Sequence, residues 1–229
     1  MASLKNKQAR VEFVKKLPRN AVAAEVGVLR GGFSEMILEH ATPKEFHMVD
    51  CWKHQTGNYV ADPSNLKQHE MDEMYREVCE KFNDYENKNG VVADVHIHRE
   101  FSRDAVKIFD DHYFDWVYID ADHTYDAACM DLKWWWPKVK PGGVLAGHDY
   151  HAKVAWVEVK RAVDEFLKEQ DLSLAYTSNA SYPDWAIIKP KGSHVYEGEK
   201  GEDIFEKGGA CAYPIFHAID LVGRKPPIE

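Results

Sequence analysis

Two short segments gather side chains that can move protons or hold cations: Asp120-Ala-Asp122-His123-Thr-Tyr125 and Gly147-His148-Asp149-Tyr150. Carboxylates ligate divalent ions, and imidazole titrates close enough to neutral pH to accept a proton from an acceptor group. His123 follows Asp120 by three residues, so one loop can aim both at one ligand. Upstream lies a glycine loop, Glu25-Val-Gly27-Val28-Leu-Arg-Gly31-Gly-Phe-Ser34. Its glycines permit close backbone approach, and a helix N-terminus behind it would offer N–H groups to a carboxylate. The spacing is not G-x-G-x-x-G, so a pyrophosphate-bearing dinucleotide fits poorly. Asp50 stands where an acid can accept from ribose hydroxyls, and Ser102 where it can border a base. Each residue alone also suits a bland role: Asp50 as a solvated loop end, Ser102 as a helix cap, His123 as a partner of a loop carbonyl. Several of them converging on neighbouring strand ends favours chemistry.

The elements that would position these groups alternate. Short apolar runs at residues 21–28, 46–49, 95–98, 116–119 and 143–146 read as buried strands. Helical periodicity covers 33–40, 66–85, 102–109, 125–136 (stopped by Pro137) and 155–169. Two closing strands, 172–177 and 185–189, flank the turn Asn179-Ala-Ser-Tyr-Pro-Asp184, which predicts an antiparallel pair. The fold expected is α/β: a Rossmann-like, doubly wound, seven-stranded, mostly parallel sheet with a terminal antiparallel hairpin. Its domain would span 1–190, N-terminal helix included, with 191–229 as an irregular tail that docks through Tyr213-Pro-Ile-Phe-His-Ala-Ile219. Ligands of such sheets sit outside the carboxyl ends of the strands, where the loops above belong. The insert at 52–70 reads as a lid with Trp52, His54, Tyr59 and His69 toward an acceptor. Trp134-Trp135-Trp136 reads as core and subunit contact.

A net charge of −9 argues against a nucleic-acid partner. The four cysteines, Cys51, Cys79, Cys129 and Cys211, show neither C-x-x-C nor zinc spacing, so a reduced, cytoplasmic protein is expected. No apolar run reaches the roughly 18 residues of a membrane helix, and no secretory h-region opens the chain. A homodimer is left open.

The ordered set Glu25-x-Gly-x-x-x-Gly-Gly-x-Ser34, His47-Met-Val-Asp50-Cys-Trp52, Asp120-Ala-Asp-His123-x-Tyr125 and Lys140-Pro-Gly-Gly-Val-Leu-Ala-Gly-His148-Asp149 resembles class I S-adenosylmethionine-dependent methyltransferases. More narrowly it resembles the small-molecule O-methyltransferases related to macrolide-sugar and catechol-type, metal-dependent enzymes. The resemblance runs from about residue 21 to 190. It implies S-adenosyl-L-methionine as cofactor and methyl transfer to a small-molecule acceptor. By position, it implies a methionine pocket shaped by Glu25, Gly27, Val28 and Gly31, with Ser34 near the carboxylate. It further implies ribose on Asp50, adenine bordered by Trp52 and Ser102, and Asp120 near the sulfonium. A divalent metal (Mg, Mn or similar) would lie on Asp120, His148 and Asp149, with His123, Asp120 and His148 as the catalytic set and His123 the base. Relatives carry two acids or Asp-Asn where this chain has His148-Asp149, which suits a softer ion than magnesium. Other S-adenosylmethionine chemistry, a non-catalytic binder and a nicotinamide-dependent oxidoreductase are the alternatives.

Overall fold

The computed structural model describes residues 2–56, 63–87, 90 and 92–192. Its elements are α1 (Ala2–Val14), β1 (Val22–Val26), α2 (Gly32–His40), β2 (Glu45–Asp50), α3 (Gln68–Phe82), β3 (Asp94–Arg99), α4 (Ser102–Ala105), β4 (Phe114–Ile119), α5 (Tyr125–Lys138), β5 (Val139–Gly147), α6 (Val159–Glu169), β6 (Tyr176–Thr177) and β7 (Trp185–Ile188). The sheet runs β3-β2-β1-β4-β5-β7-β6. The first five strands are parallel, and β7 pairs antiparallel with both β5 and β6. This is the expected doubly wound sheet with its terminal antiparallel pair.

Burial explains the strand sequences. All five residues of β1 are buried, so Val22-Ala-Ala-Glu-Val26 carries no alternation. One core layer packs Leu132, Trp135, Val163 and Phe166 of α5 and α6 on one face of the sheet. The other packs Phe13, Ile37, Met74 and Val78 of α1, α2 and α3 on the opposite face. Strand order reverses between β1 and β4, and there Asp120 N–H donates to the Val26 carbonyl at 2.7 Å. That switch point is where an open α/β sheet binds ligands.

Several boundaries differ from the sequence expectation. Helix α6 starts at Val159, not 155; Ala155 lies exposed in a turn, because Glu158 N–H is held by the His123 carbonyl at 2.8 Å. Ser102 is not the cap of α4, a position taken by Phe101, and α4 gives way to a 3-10 turn at Val106–Ile108. Strand β6 shrinks to two residues. The Trp stripe divides: Trp135 and Trp136 are core, whereas Trp134 is half-buried. Tyr59 and the tail from residue 193 onward lie outside the described residues. Among the described residues, no helix is long and apolar enough to cross a membrane.

Helix α5 runs through Pro137 to Lys138 rather than stopping before the proline. Its carbonyl ends are gathered by Lys189, whose buried Nζ donates to Trp136 O and Val139 O at 2.8 Å each. Lys189→Met should therefore lower unfolding free energy by about 1–3 kcal/mol, since buried carbonyls lose their donor. Urea denaturation reads this; an unchanged midpoint would show that the carbonyls find other donors.

Candidate active site

The carboxyl ends of β1, β2 and β4 open into a cavity of about 650 Å³ lined by Glu25, Gly27, Asp50, Ser102, Asp120 and His123, among others. The glycine loop forms its floor. Gly27 has φ +93°, and a Cβ there would lie 1.9 Å from the Asp120 carbonyl oxygen. Gly31 (φ +68°) serves packing instead: its Cβ would strike the Phe82 ring at 2.4 Å, and Gly32 rather than Gly31 lines the cavity. Val28 lies on the wall.

Asp50 ties this loop to β2. Its Oδ2 accepts from Val28 N–H and Leu29 N–H at 2.9 Å each, and its Oδ1 from Trp52 N–H at 2.8 Å. A carboxylate has about four lone-pair sites, so roughly one remains for a ligand hydroxyl. Trp52 itself is 1% exposed. Its Nε1 donates to the Leu29 carbonyl at 2.8 Å and its ring packs on Tyr75. It buttresses the loop from behind, while its neighbours Cys51 and Lys53 face the cavity. In the described part of the insert, His54 Nδ1 bonds the Leu66 carbonyl at 2.8 Å.

Glu25 and Ser34 are both buried, and Ser34 Oγ donates to Glu25 Oε2. Burial pushes the Glu25 carboxyl up to about 8, against the Ser34 hydrogen bond that pulls it down. At the far wall Trp135 Nε1 donates to Ser102 Oγ at 2.8 Å, and Ser102 Oγ donates to Asp131. Asp131 is buried, and burial raises it to about 7. Sequence reasoning missed Asp131 because an acid inside an amphipathic helix reads as a solvated face.

The end of the cavity beyond β4 is a knot of charges. His123 Nε2 lies 3.3 Å from Asp120 Oδ1 and 3.1 Å from Asp149 Oδ2. His148 Nδ1 lies 3.6 Å from the same Asp120 oxygen and 3.2 Å from the same Asp149 oxygen. His151 Nε2 reaches Asp149 Oδ1 at 3.1 Å. Burial alone would lower the His148 pKa, but the Asp120 charge and hydrogen bonds to both acids raise it to about 9. Both acids sit well below their usual range, burial opposing and the histidines prevailing. His148 is thus held toward its imidazolium form by the two acids.

Arg10 of α1 joins this knot, unforeseen from the sequence. Its Nη2 donates to Tyr118 OH at 2.8 Å and contacts Asp120 Oδ2 at 3.4 Å. Its Nε lies 3.3 Å from Asp184 Oδ1, and its guanidinium lies over Phe33, 4.0 Å from the ring centre. Among the described residues Asp120, His123 and Asp149 offer donor atoms within 4.8 Å of one another. His148 Nδ1 reaches the same two carboxylate oxygens, so both imidazoles stand beside the acid pair.

The sequence pattern of a family described as a methyltransferase domain matches residues 24–150, more than half of the chain, from within β1 to the loop after β5. The chain belongs to this methyltransferase family. It is an S-adenosylmethionine-dependent methyltransferase on a Rossmann-like sheet. No curated protein matches this methyltransferase in sequence. Among solved structures it is similar to the O-methyltransferase NovP, at 15% identity over 83% of this chain and 88% of that one, TM-score 0.55. It is also similar to SMU.1697c of Streptococcus mutans, solved in complex with SAH, at 16% identity over 80% and 97%, TM-score 0.53. A third likeness is to the N-methyltransferase NodS of Bradyrhizobium japonicum WM9, at 12% identity over 82% and 96%, TM-score 0.52. At such identities the likeness is one of fold, and it spans O- and N-methyltransferases alike.

Proposed function

We propose that this methyltransferase moves the methyl group of S-adenosylmethionine to a hydroxyl oxygen of a small molecule. The observation that carries this is the placement of His123 between Asp120 and Asp149 at one end of the cavity. The sulfonium carbon is already electrophilic, so the protein must align and deprotonate the acceptor. In this reading the cofactor lies with its methionine over Glu25, Gly27 and Val28, near Ser34. The packing glycine Gly31 sets the loop from beneath. The ribose meets Asp50, and the adenine end meets Ser102 and Asp131 with Trp52 supporting the loop. The acceptor oxygen attacks the methyl carbon in line, the C–S electron pair returns to sulfur, and S-adenosylhomocysteine leaves. The acceptor proton passes to the His123 imidazole, whose Nε2–H faces the two acids. The His148 imidazolium and Arg10 hold Asp120 and Asp149 in charge balance throughout.

A second reading has one specific observation in its favour, the convergence of Asp120, His123 and Asp149. Two carboxylates and an imidazole suit manganese, iron or zinc better than magnesium. A divalent ion held there would make an acceptor hydroxyl more acidic. His123 would then be a ligand rather than the base. Calorimetry with S-adenosylmethionine and with NAD separates the methyltransferase from an oxidoreductase. Methyl release from a panel of hydroxylated and amine acceptors, with and without chelator, tests the rest. Turnover of hydroxyl acceptors that survives chelation supports His123 as base; loss restored by manganese supports the ion. Binding without turnover of any acceptor would point to other chemistry or a silent binder.

Glu25 gives this reading a pH signature. Its carboxyl is neutral at pH 7 in the free protein. A positively charged methionine ammonium beside it favours the carboxylate, so binding expels a proton below pH 8. Affinity should therefore rise with pH, by up to about tenfold per unit, and level off above pH 8. Calorimetry from pH 6.5 to 8.5 reads it, and Glu25→Gln should bind more weakly with that slope gone; a slope that persists would clear Glu25 of the role.

We further propose that residues 1–190 form the methyltransferase domain and 191–229 a tail. A reducing, cytoplasmic setting is supported by Cys51, Cys79 and Cys129 standing as free thiols. A homodimer would be read by sedimentation.

A further inference from the structure

A second constellation of metal-ligating side chains lies away from the cavity, on the β2–β3 edge of the sheet. In register, Glu45 pairs with Asp94, His47 with His96, and Val49 with His98. Alternate residues of a strand share a face, so two carboxylates and three imidazoles stand together there. Glu45 opens β2 and Asp50 closes it, roughly 16 Å further on at about 3.3 Å per residue. The patch therefore belongs to the amino half of the strands, and no step of methyl transfer uses it.

The groups are already ordered. His47 Nε2 lies 2.8 Å from Glu45 Oε1, and its Nδ1 lies 2.9 Å from His98 Nε2. The His96 ring stacks on His47 at 4.7 Å, and His96 Nε2 lies 3.2 Å from Asp94 Oδ2. Glu45 also accepts from Tyr113 OH. Donor atoms of Glu45, His47 and His96 all lie within 4.8 Å of one another. Beneath them the His47 ring meets Phe109 and Phe114 edge-on, which fixes its plane. The side chains of His96 and Asp94 are 42% and 71% exposed, leaving a path for entry.

We propose that Glu45, His47 and His96 bind a divalent ion of borderline softness, zinc foremost, with Asp94 or water completing a tetrahedron. Around a centre with bonds of about 2.0–2.1 Å, ligand atoms stand roughly 3.3 Å apart, a side-chain rotation from the separations seen. Zinc takes the place of the proton shared by His47 Nε2 and Glu45. His47 Nδ1–H then donates to His98 Nε2, and Tyr113 OH keeps its bond to Glu45. Those outer bonds are the kind that orient ligands in established zinc sites. The ion would clip edge strand β3 to β2 through side chains, beside their six-pair backbone ladder.

The full chain, freed of any polyhistidine tag and stripped with EDTA, is titrated with zinc chloride by calorimetry and with cobalt(II) by absorption. His123→Ala removes the competing set at the cavity. In that background one equivalent of zinc is expected to bind, cobalt to give the intense visible bands of a tetrahedral site, and zinc to raise the melting temperature. His96→Gln or Glu45→Gln, both at partly exposed positions, should each weaken zinc at least tenfold and abolish the cobalt bands. Circular dichroism confirms that these variants fold. Should His123→Ala alone remove all zinc binding, or should His96→Gln and Glu45→Gln bind zinc as the parent does, the site is overturned.

Discussion

Gly27→Ala is expected to cost on the order of 3–5 kcal/mol of folding stability and to abolish cofactor binding. Two independent penalties meet at this residue. Its φ of +93° is one that L side chains rarely adopt. Its added methyl would also sit 1.9 Å from the Asp120 carbonyl oxygen and 2.8 Å from Ala121 N. Neither obstacle is a flexible chain end. Both belong to backbone that β1 and β4 hold in place through Asp120 N–H on Val26 O and Gly27 N–H on Val49 O. To make room, the loop carrying Asp120 and His123 has to move, so cofactor floor and catalytic cluster fail together. Gly32→Ala is the control: no atom lies within 4 Å of its Cβ position, and stability should change by under about 1 kcal/mol. Urea unfolding of both variants, with calorimetry on S-adenosylmethionine, measures the contrast. A Gly27→Ala protein as stable as Gly32→Ala would contradict it.

His123→Ala should lower turnover by about 10²–10⁴ while cofactor affinity stays within a few-fold. The asymmetry follows from position. His123 touches the two acids at the catalytic end, whereas the glycine loop, Asp50 and Ser102 form other walls. The loss is expected whether His123 takes the proton or holds an ion, and the chelator experiment distinguishes those. His148→Gln should act differently. It removes an imidazolium from between two acids, so its defect should include weaker packing of the Asp149 loop, visible as a lower melting temperature. Turnover of His123→Ala within tenfold of the parent would strike it from the reaction.

Parallel strands buried on both faces leave a plain trace in the sequence, a short apolar run closed by an acid or glycine. That is why β1, β2 and β4 and the residues at their ends, Gly27, Asp50 and Asp120, were legible. What was not legible depends on where side chains turn. Trp52 follows Asp50 as an adenine-facing residue might be imagined to, yet its indole N–H finds the Leu29 carbonyl and the ring goes inward. His123 and His148 both stand beside two acids. Only the fold brings both rings to the same two carboxylate oxygens, and no local pattern carries that. Asp131 and Lys189 read as ordinary surface residues, because a polar group buried with its partners carries no mark in local periodicity. Arg10 left still less trace, since its partners Tyr118 and Asp120 are 108 and 110 positions away.

That separation bears on how the protein is made. During synthesis α1 leaves the ribosome well before the acids that receive Arg10, which arrive only after β4 and, for Asp184, just ahead of β7. A nascent chain that has completed the glycine loop and β2 already owns much of the cofactor floor, with Arg10 still unmoored. Closure of the catalytic end is thus deferred until the last hairpin pairs and the first helix docks. Truncated translation products would be left with a nucleotide-binding half and no means of transferring a methyl group.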